Sequence, residues 1–380
     1  MLQELCKAVA SSSAIAVRGS RTKNALLSES SDDSRTMIDA TPLEGIVTYE
    51  PSEFLITAQT GTRISTLAAT LAENGQYLPF DPVLTNAGAT LGGTIASGIS
   101  GPNRLLYGSL RDFVMEVQLI DGLGNLVRGG GKVVKNSAGF DTPKLMVGSY
   151  GRLGILTEAT LKVFPKPPAF LTQRFKFESL AGTLAAMQKL QTNPLPISAI
   201  EIEPPSQLVV RYGGRAEALG IVATRAEQLL GQAAVPTAPA DSESDYWDQL
   251  SEFAFVDQGQ ALIRVSMSGR KLLALDQALR ALAGIASVRY SCGASVAWLA
   301  TTAECQFTAL DEQLSALSLA AVVVRHGARH SGAEGQLGAG QLGAGQLELL
   351  GDKSWVPFSV RIQQAMDPHH KFPTFAIRNS

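Results

Sequence analysis

The sequence predicts an α+β protein in two parts, a loop-rich first part and a second part built as an antiparallel sheet with helices on one face. Fifteen of the 36 glycines fall between Val83 and Gly154. Such clustering marks backbone in positive-φ turns, or backbone approached closely by something else. The run Pro165-Lys166-Pro167-Pro168 stops regular structure and is the best domain boundary in the chain. Beyond it, strand-like and helix-like stretches follow in the order βαββαβ, the order of a split-βαβ layer.

Apolar spacing predicts a helix over 2–10 and a strand over 14–18 that meets Gly19. Two strands follow, at 45–49 and 53–58. Ile64, Leu67, Ala68 and Leu71 lie at helical spacing, with Thr62 placed to cap the helix and Gly75 to end it. The two prolines of Leu78-Pro79-Phe80-Asp81-Pro82 exclude both helix and central strand. Residues 113–121 read as a strand with a turn at Gly122 and Gly124. From Leu153 to Val163 the residues alternate, Leu153, Ile155, Leu161 and Val163 on one face and Glu158 and Lys162 on the other, which predicts a half-buried strand.

In the second part, strands at 170–177, 197–203, 207–212 and 261–267 are interleaved with helices at 180–191 and 215–231. A partial second pass follows, with a helix at 271–283, strands at 285–290 and 294–299, a helix at 304–317 and a strand at 320–325. A closing helix over 355–366 ends at Asp367-Pro368. The expected domains are 1–168, 169–330, a low-complexity loop at 331–350 and a C-terminal closing segment at 351–380. The loop contains GQLGAGQLGAGQL, a short unit in tandem with few apolar residues, and reads as an insertion.

Composition narrows the function. The 32 Lys+Arg nearly balance the 34 Asp+Glu, giving a formal net charge of −2. That disfavours a nucleic-acid binder, which shows a basic excess. No run of about eighteen apolar residues exists, so no spanning helix is expected. Glu4 and Lys7 interrupt the N-terminus, which predicts no signal peptide. Cys6, Cys292 and Cys305 are too few for an iron–sulfur cluster and form no zinc pattern. A cytoplasmic protein fits, with any membrane contact peripheral and through partners.

Three polar, glycine-rich loops carry the chemistry. The first is Arg18-Gly19-Ser20-Arg21-Thr22-Lys23, where small residues let successive amides point into one concavity, and such nests bind anions. The second, Thr85-Asn86-Ala87-Gly88-Ala89-Thr90-Leu91-Gly92-Gly93-Thr94, is nearly all donors and small residues. The third, Lys135-Asn136-Ser137-Ala138-Gly139-Phe140-Asp141, leads into Gly148-Ser149-Tyr150-Gly151-Arg152-Leu153-Gly154-Ile155. Any one loop alone is explained by a tight turn, but three together point to a phosphate-bearing ligand. No Rossmann fingerprint and no P-loop is present.

In these residues the chain resembles the FAD-binding domain of the vanillyl-alcohol oxidase / p-cresol methylhydroxylase (PCMH-type) superfamily, and within it the E subunits of bacterial glycolate oxidase. The resemblance is carried by RGS-x-TK at 18–23, YEPSEFLITAQTGT at 49–62, LPFDP at 78–82 and ATLGGTIASGISGPNR at 89–104. It continues in GSLRDFV at 108–114, KNSAGFDTPKLMVGSYGRLGIL at 135–156 and LKVFPKP at 161–167. It implies FAD as cofactor. Arg18, Gly19, Ser20, Thr22 and Lys23 would form one phosphate loop. Gly88, Ala89, Thr90, Gly92, Gly93 and Thr94 would form the second, with Gly92 and Gly93 nearest the pyrophosphate. Ser97 and Gly98 would line the path to the flavin ring, Asn136, Gly139 and Phe140 would lie beside the cofactor, and Ile155 would contact the adenine end. The first domain has no His, and Cys6 precedes the first loop, so the FAD should be non-covalent.

The resemblance further implies a glycolate oxidase-type complex that oxidises a small 2-hydroxy acid. Its partners would be a catalytic flavoprotein subunit and an iron–sulfur subunit. Related catalytic subunits carry an H-x-x-G-D-G-x-x-H motif that this chain lacks. Its nearest offering is His326 and Arg329 at a strand end, a carboxylate-binding and proton-abstracting pair by residue type. No metal site is expected. The alternatives are a non-catalytic assembly subunit stabilised by FAD, and a free-standing flavin oxidoreductase for another small hydroxy acid or alcohol.

Overall fold

The computed structural model describes residues 1–26, 35–131, 141–235, 243–327 and 347–375. An amphipathic helix, α1 (Leu2–Ser11), leads into β1 (Ile15–Arg18), which pairs in parallel with β2 (Thr36–Asp39). Then come β3 (Ile46–Glu50), β4 (Leu55–Gln59), α2 (Ile64–Ala72) and the short β5 (Gln76–Tyr77). Thr62 does not cap α2. The capping position is Arg63, and the Thr62 hydroxyl accepts the Gly45 amide at 2.9 Å instead. The first helical amide, from Ile64, donates to the Ala89 carbonyl, so a tertiary contact replaces the side-chain cap.

The glycine-rich stretch holds two short helices, α3 (Leu91–Ser97) and α4 (Arg104–Tyr107). β6 (Val114–Ile120), β7 (Leu126–Gly130), α5 (Thr142–Met146) and β8 (Ile155–Lys162) complete an antiparallel five-stranded sheet in the order β3-β4-β8-β6-β7. A two-residue strand, β9 (Phe164–Pro165), pairs back with β5. The strand predicted to be half-buried, β8, is covered on both faces except at Glu158 and Lys162. It lies between β4 and β6, and its second face is buried through polar pairs: the hydroxyls of Thr57 and Thr160 hydrogen-bond at 2.9 Å. Alternation reads side-chain polarity, whereas burial here depends on threonines whose partners come from other strands.

The second sheet begins with β10 (Ala169–Lys176), α6 (Leu180–Gln191), β11 (Ile197–Glu203), β12 (Gln207–Gly214) and α7 (Ala216–Leu230). The chain then crosses to the other face with α8 (Glu243–Ser251), whose Trp247 packs on Ala199 and Val209. It continues as β13 (Ala261–Ser266), α9 (Leu272–Arg280), β14 (Ile285–Ser291), β15 (Val296–Thr301), α10 (Phe307–Ala316), β16 (Ala320–Arg325), β17 (Leu349–Gly351) and α11 (Val356–Met366). The eight strands run β10-β12-β11-β14-β15-β13-β16-β17, antiparallel throughout. The strand at 261–266 therefore does not close the first βαββαβ pass. It opens the second, pairing with β15 and β16, because α8 carries the chain away from the first unit before a fourth strand forms.

Alternation across this sheet decides how the molecule is assembled. Ile263, Val265, Leu299 and Val323 face α6, α7, α9 and α10. Leu262, Trp298, Ala300, Val322 and Val324 face the other way, into a core shared with Ile95, Leu110 and Leu161 of the first part. Trp298 is 4 % exposed and its ring lies 4.6 Å from that of Phe253. The chain end locks the arrangement. Lys371 donates to the Val9 and Ala10 carbonyls at 2.7 and 2.9 Å, and the Asp367 carboxylate accepts the Phe372 amide at 2.8 Å. Trp298→Ala leaves a cavity in the shared core and is expected to destabilise by about 3–5 kcal/mol. Denaturant titration checks it, and a loss under about 1 kcal/mol would mean that this face is not a packed core.

Candidate cofactor site

Three segments meet around α3. The loop 18–23 leaves β1, α3 starts at Thr90, and the loop 148–154 docks on the end of α3 through amides of Gly148 and Tyr150, which donate to Ile95 and Ala96 carbonyls at 3.1 and 2.8 Å. Between them lies an open cleft of about 100 Å³. Arg18 is fixed at its edge by an ion pair with Asp39 at 2.9 Å, and Arg21 turns the loop with φ 61°.

The cleft holds unspent donors. Among the described residues, the amides of Gly19, Ser20, Thr22 and Gly151 reach no protein acceptor. The Ser149 hydroxyl, which also lines the cleft, is buried and has no hydrogen-bond partner. Buried polar groups are normally paired, so this set fits an anionic, polar ligand. Lys23 is 6 % exposed, and burial pulls its pKa down to about 8, partly opposed by Glu252. Its amine has one hydrogen bond, to the Thr22 hydroxyl at 3.4 Å. A buried ammonium of this kind favours a bound anion.

Arg18, Gly19, Ser20, Thr22, Lys23, Thr90, Gly92, Gly93 and Ser97 all line the cleft. Gly88, Ala89, Thr94, Gly98 and Ile155 do not. Gly88 (φ 90°) lies against Arg63, Ala89 is fully buried, and Gly98 (φ 63°) ends α3. The Thr94 hydroxyl is buried without a partner, and Ile155 packs with Val9, Ile15, Ile38 and Phe372. Asn136, Gly139, Phe140 and Arg329 lie outside the described residues. Sequence reasoning also overrated the amides of the second loop, which are already spent. Those of Asn86 and Ala87 donate to the Glu252 carboxylate at 2.8 and 3.1 Å, and that of Gly92 to the Thr60 carbonyl at 2.7 Å. A Cβ on Gly92 would stand 2.9 Å from Thr60 Cβ, so this glycine is required by helix–strand contact. Val17, Leu26, Ala40, Thr60, Ala96 and Leu156 line the cleft without any sequence signal beyond adjacency to the loops.

His326 is not in the cleft. Its amide donates to Asn24 Oδ1 at 3.1 Å, and its Nδ1 is 3.6 Å from the Glu348 carboxylate, whose pKa burial raises to about 7. The strand end that faces a cavity is the other one: Ala320, Ala321 and Val322, with Gly148, Tyr150, Arg264, Ser266, Leu349 and Trp355, line a second cavity of about 300 Å³. Four residues of strand put His326 about 13 Å beyond Val322. Tyr150 lines both cavities, and desolvation raises its pKa.

Lys23 also sets a pH dependence. Its folded-state pKa lies below its unfolded value, so the unfolded chain binds more protons between about pH 8 and 10.5 and stability rises with pH across that window. Lys23→Met in the ligand-free chain should melt higher than wild type at pH 7, with the gap closing toward pH 10.5. A constant gap across a pH series of melts would mean that Lys23 is not desolvated.

A family model described as an FAD binding domain matches residues 1–130. The chain is 34 % identical over 306 residues to glycolate oxidase subunit GlcE of Escherichia coli (strain K12), covering 80 % of this chain and 81 % of that protein. It is 33 % identical over 165 residues to a D-lactate dehydrogenase of Anaerostipes hadrus and 30 % over 166 residues to glycolate oxidase subunit GlcD of Bacillus subtilis (strain 168). Those two matches cover 43 % of this chain but only 34 % and 35 % of the relatives. The fold is shared with a solved alkyldihydroxyacetonephosphate synthase, at TM-score 0.67 and 15 % identity, covering 97 % of this chain and 74 % of that one. With FAD as the cofactor and a relative matched over most of both chains, the protein belongs to the GlcE family of FAD-binding oxidoreductases.

Proposed function

We propose that this chain is the FAD-holding subunit of a glycolate oxidase-type complex that converts small 2-hydroxy acids to 2-oxo acids. The observation that carries the reading is the cleft itself, with unspent amides and a buried lysine on one side and the side-chain-free surface of Gly92 and Gly93 on the other. The amides of Gly19, Ser20 and Thr22 and the Lys23 ammonium would hold the pyrophosphate, while Gly92 and Gly93 leave room for it. The Ser149 and Ser97 hydroxyls and Tyr150 would border the rest of the cofactor. Bound FAD supplies the electron acceptor for oxidation of a CH–OH group. Among the described residues no cysteine or histidine lines the cleft, which supports non-covalent attachment.

Among the described residues, neither cavity is lined by a histidine or a carboxylate that could take the hydroxyl proton. Among the described residues no group of His, Cys, Asp or Glu could hold a metal. This supports assigning proton abstraction to a separate catalytic flavoprotein subunit and onward electron transfer to an iron–sulfur subunit. It also favours a second reading, a non-catalytic assembly subunit whose FAD stabilises the fold. No described helix is long and apolar enough to cross a membrane, which fits the cytoplasmic location we propose.

A Cβ on Gly93 would lie 3.2 Å from the Thr90 hydroxyl. Gly93→Val should weaken FAD retention by at least about tenfold while the circular dichroism spectrum is kept. Undiminished flavin absorbance in the purified variant would remove the cofactor-site assignment. Adding glycolate anaerobically separates the readings. The relay reading expects the flavin of this chain to bleach only when the catalytic subunit is present, and a flavin that stays oxidised in the turning-over complex favours assembly.

A further inference from the structure

Arg264 occupies a position where a cation is out of place. On β13 it alternates with Ile263 and Val265, so it shares the opposite sheet face with Leu262. Its cross-strand partners are Trp298 on β15 and Val322 on β16. The surrounding stripe is apolar and packs against the first part of the chain. Arg264 itself is half-buried there. Arg264 has no carboxylate within ion-pair distance among the described residues, and its one hydrogen bond goes to its neighbour Ser266, at 3.2 Å. Burial pulls its pKa below the ordinary value, opposed in part by Tyr150, and the nearby Arg104 adds to the lowering.

The guanidinium lies in the wall of the second cavity, where it is the one charged residue among the lining groups. Opposite chemistry is supplied from the first part by Tyr150, whose phenol has no hydrogen-bond partner among the described residues and whose raised pKa keeps it a neutral donor. Its φ of 52° and its amide bond to Ala96 hold it at the boundary of both cavities. The remaining wall is Gly148, Ala320, Ala321, Val322, Leu349 and Trp355, small or apolar groups that leave room for a short substituent and offer no second charge.

We propose that this cavity is a carboxylate subsite of the chain itself, in which Arg264 grips the carboxylate of a small 2-hydroxy or 2-oxo acid as a two-pronged donor and Tyr150 donates beside it. The proposal extends the function given above by placing acid recognition on this chain, although the proton acceptor is elsewhere. A planar fork matched to a carboxylate gives more than charge alone, so lysine is not an equivalent replacement. Among the described residues no base lines the cavity, so the role proposed for it is to bind and orient the acid.

Calorimetric titration with oxalate, a two-carbon acid lacking an oxidisable C–H, tests the subsite without turnover. The purified wild-type chain should bind oxalate, and Arg264→Gln should weaken it by about 10- to 100-fold. Arg264→Lys should recover only part of the loss, and Tyr150→Phe should give a smaller one. Melting curves accompany each variant, and if Arg264→Gln does not fold, the lysine variant decides, since wild-type affinity there would overturn the two-pronged contact. Absence of oxalate binding by wild type, or unchanged affinity in Arg264→Gln, would overturn the proposal. So would inorganic phosphate binding as tightly as oxalate with the same dependence on Arg264, because that marks an unselective anion site. Flavin absorbance of the same samples keeps the two readings apart. A flavin-free chain that binds oxalate through Arg264 sinks the cofactor assignment alone, and a flavin-loaded chain indifferent to oxalate sinks the subsite alone.

Discussion

A guanidinium with no exposed surface holds the walls of the cleft together. Arg152 donates to the carbonyls of Tyr150 and Leu26, at 2.9 and 3.4 Å, and to that of Thr374 at 3.4 Å, and its group lies 5.8 Å from the Phe375 ring. Its own carbonyl accepts from Gln363 at 3.0 Å. Three stretches far apart in sequence are thereby fixed to one another: the segment after the first loop, the loop that carries Ser149 and Tyr150, and the end of the chain. Burial pulls the Arg152 pKa down to about 9, so the charge is held at a cost that these carbonyls offset. Breaking such an arrangement from one side leaves a desolvated charge, which makes the geometry all-or-none rather than adjustable.

The second constraint is the two-faced sheet. One face is covered by its own helices, but its other face is apolar and packs on the first part of the chain. Because β13, β15 and β16 contribute that face, any polar residue on it is brought against the loops around α3. Arg264 is such a residue. The same docking lets Glu252, just beyond α8, reach across and hold the amides of Asn86 and Ala87. The second glycine loop is thus kept in shape by the second part of the chain, not by a ligand.

Division of labour follows from what these contacts leave free. The first loop keeps amides and a buried amine with few protein partners among the described residues, which suits the phosphate-binding role proposed for it. The second cavity keeps one cation and one phenol, which suits an organic acid. Among the described residues neither is lined by a histidine or carboxylate.

Much of this was legible in the residues. The α+β class and most strands of both sheets, β7 and β17 excepted, follow from local spacing, which acts over a few positions and survives in any context. The FAD family could be recognised because its loops demand specific residues at specific spacings. Other features had no local signature. The burial of β8 on both faces depends on threonine pairs from other strands, and the spent amides of 86–92 depend on Glu252 and Thr60. The place of 261–266 as the first strand of a second unit depends on where α8 carries the chain. His326 and Arg264 show the same limit. Both are single polar residues in apolar strands, and their sequence contexts do not distinguish them. What separates them is strand register and the docking of one sheet face, which sends His326 to Glu348 and Arg264 into a cavity, and those are long-range contacts that only the folded chain contains.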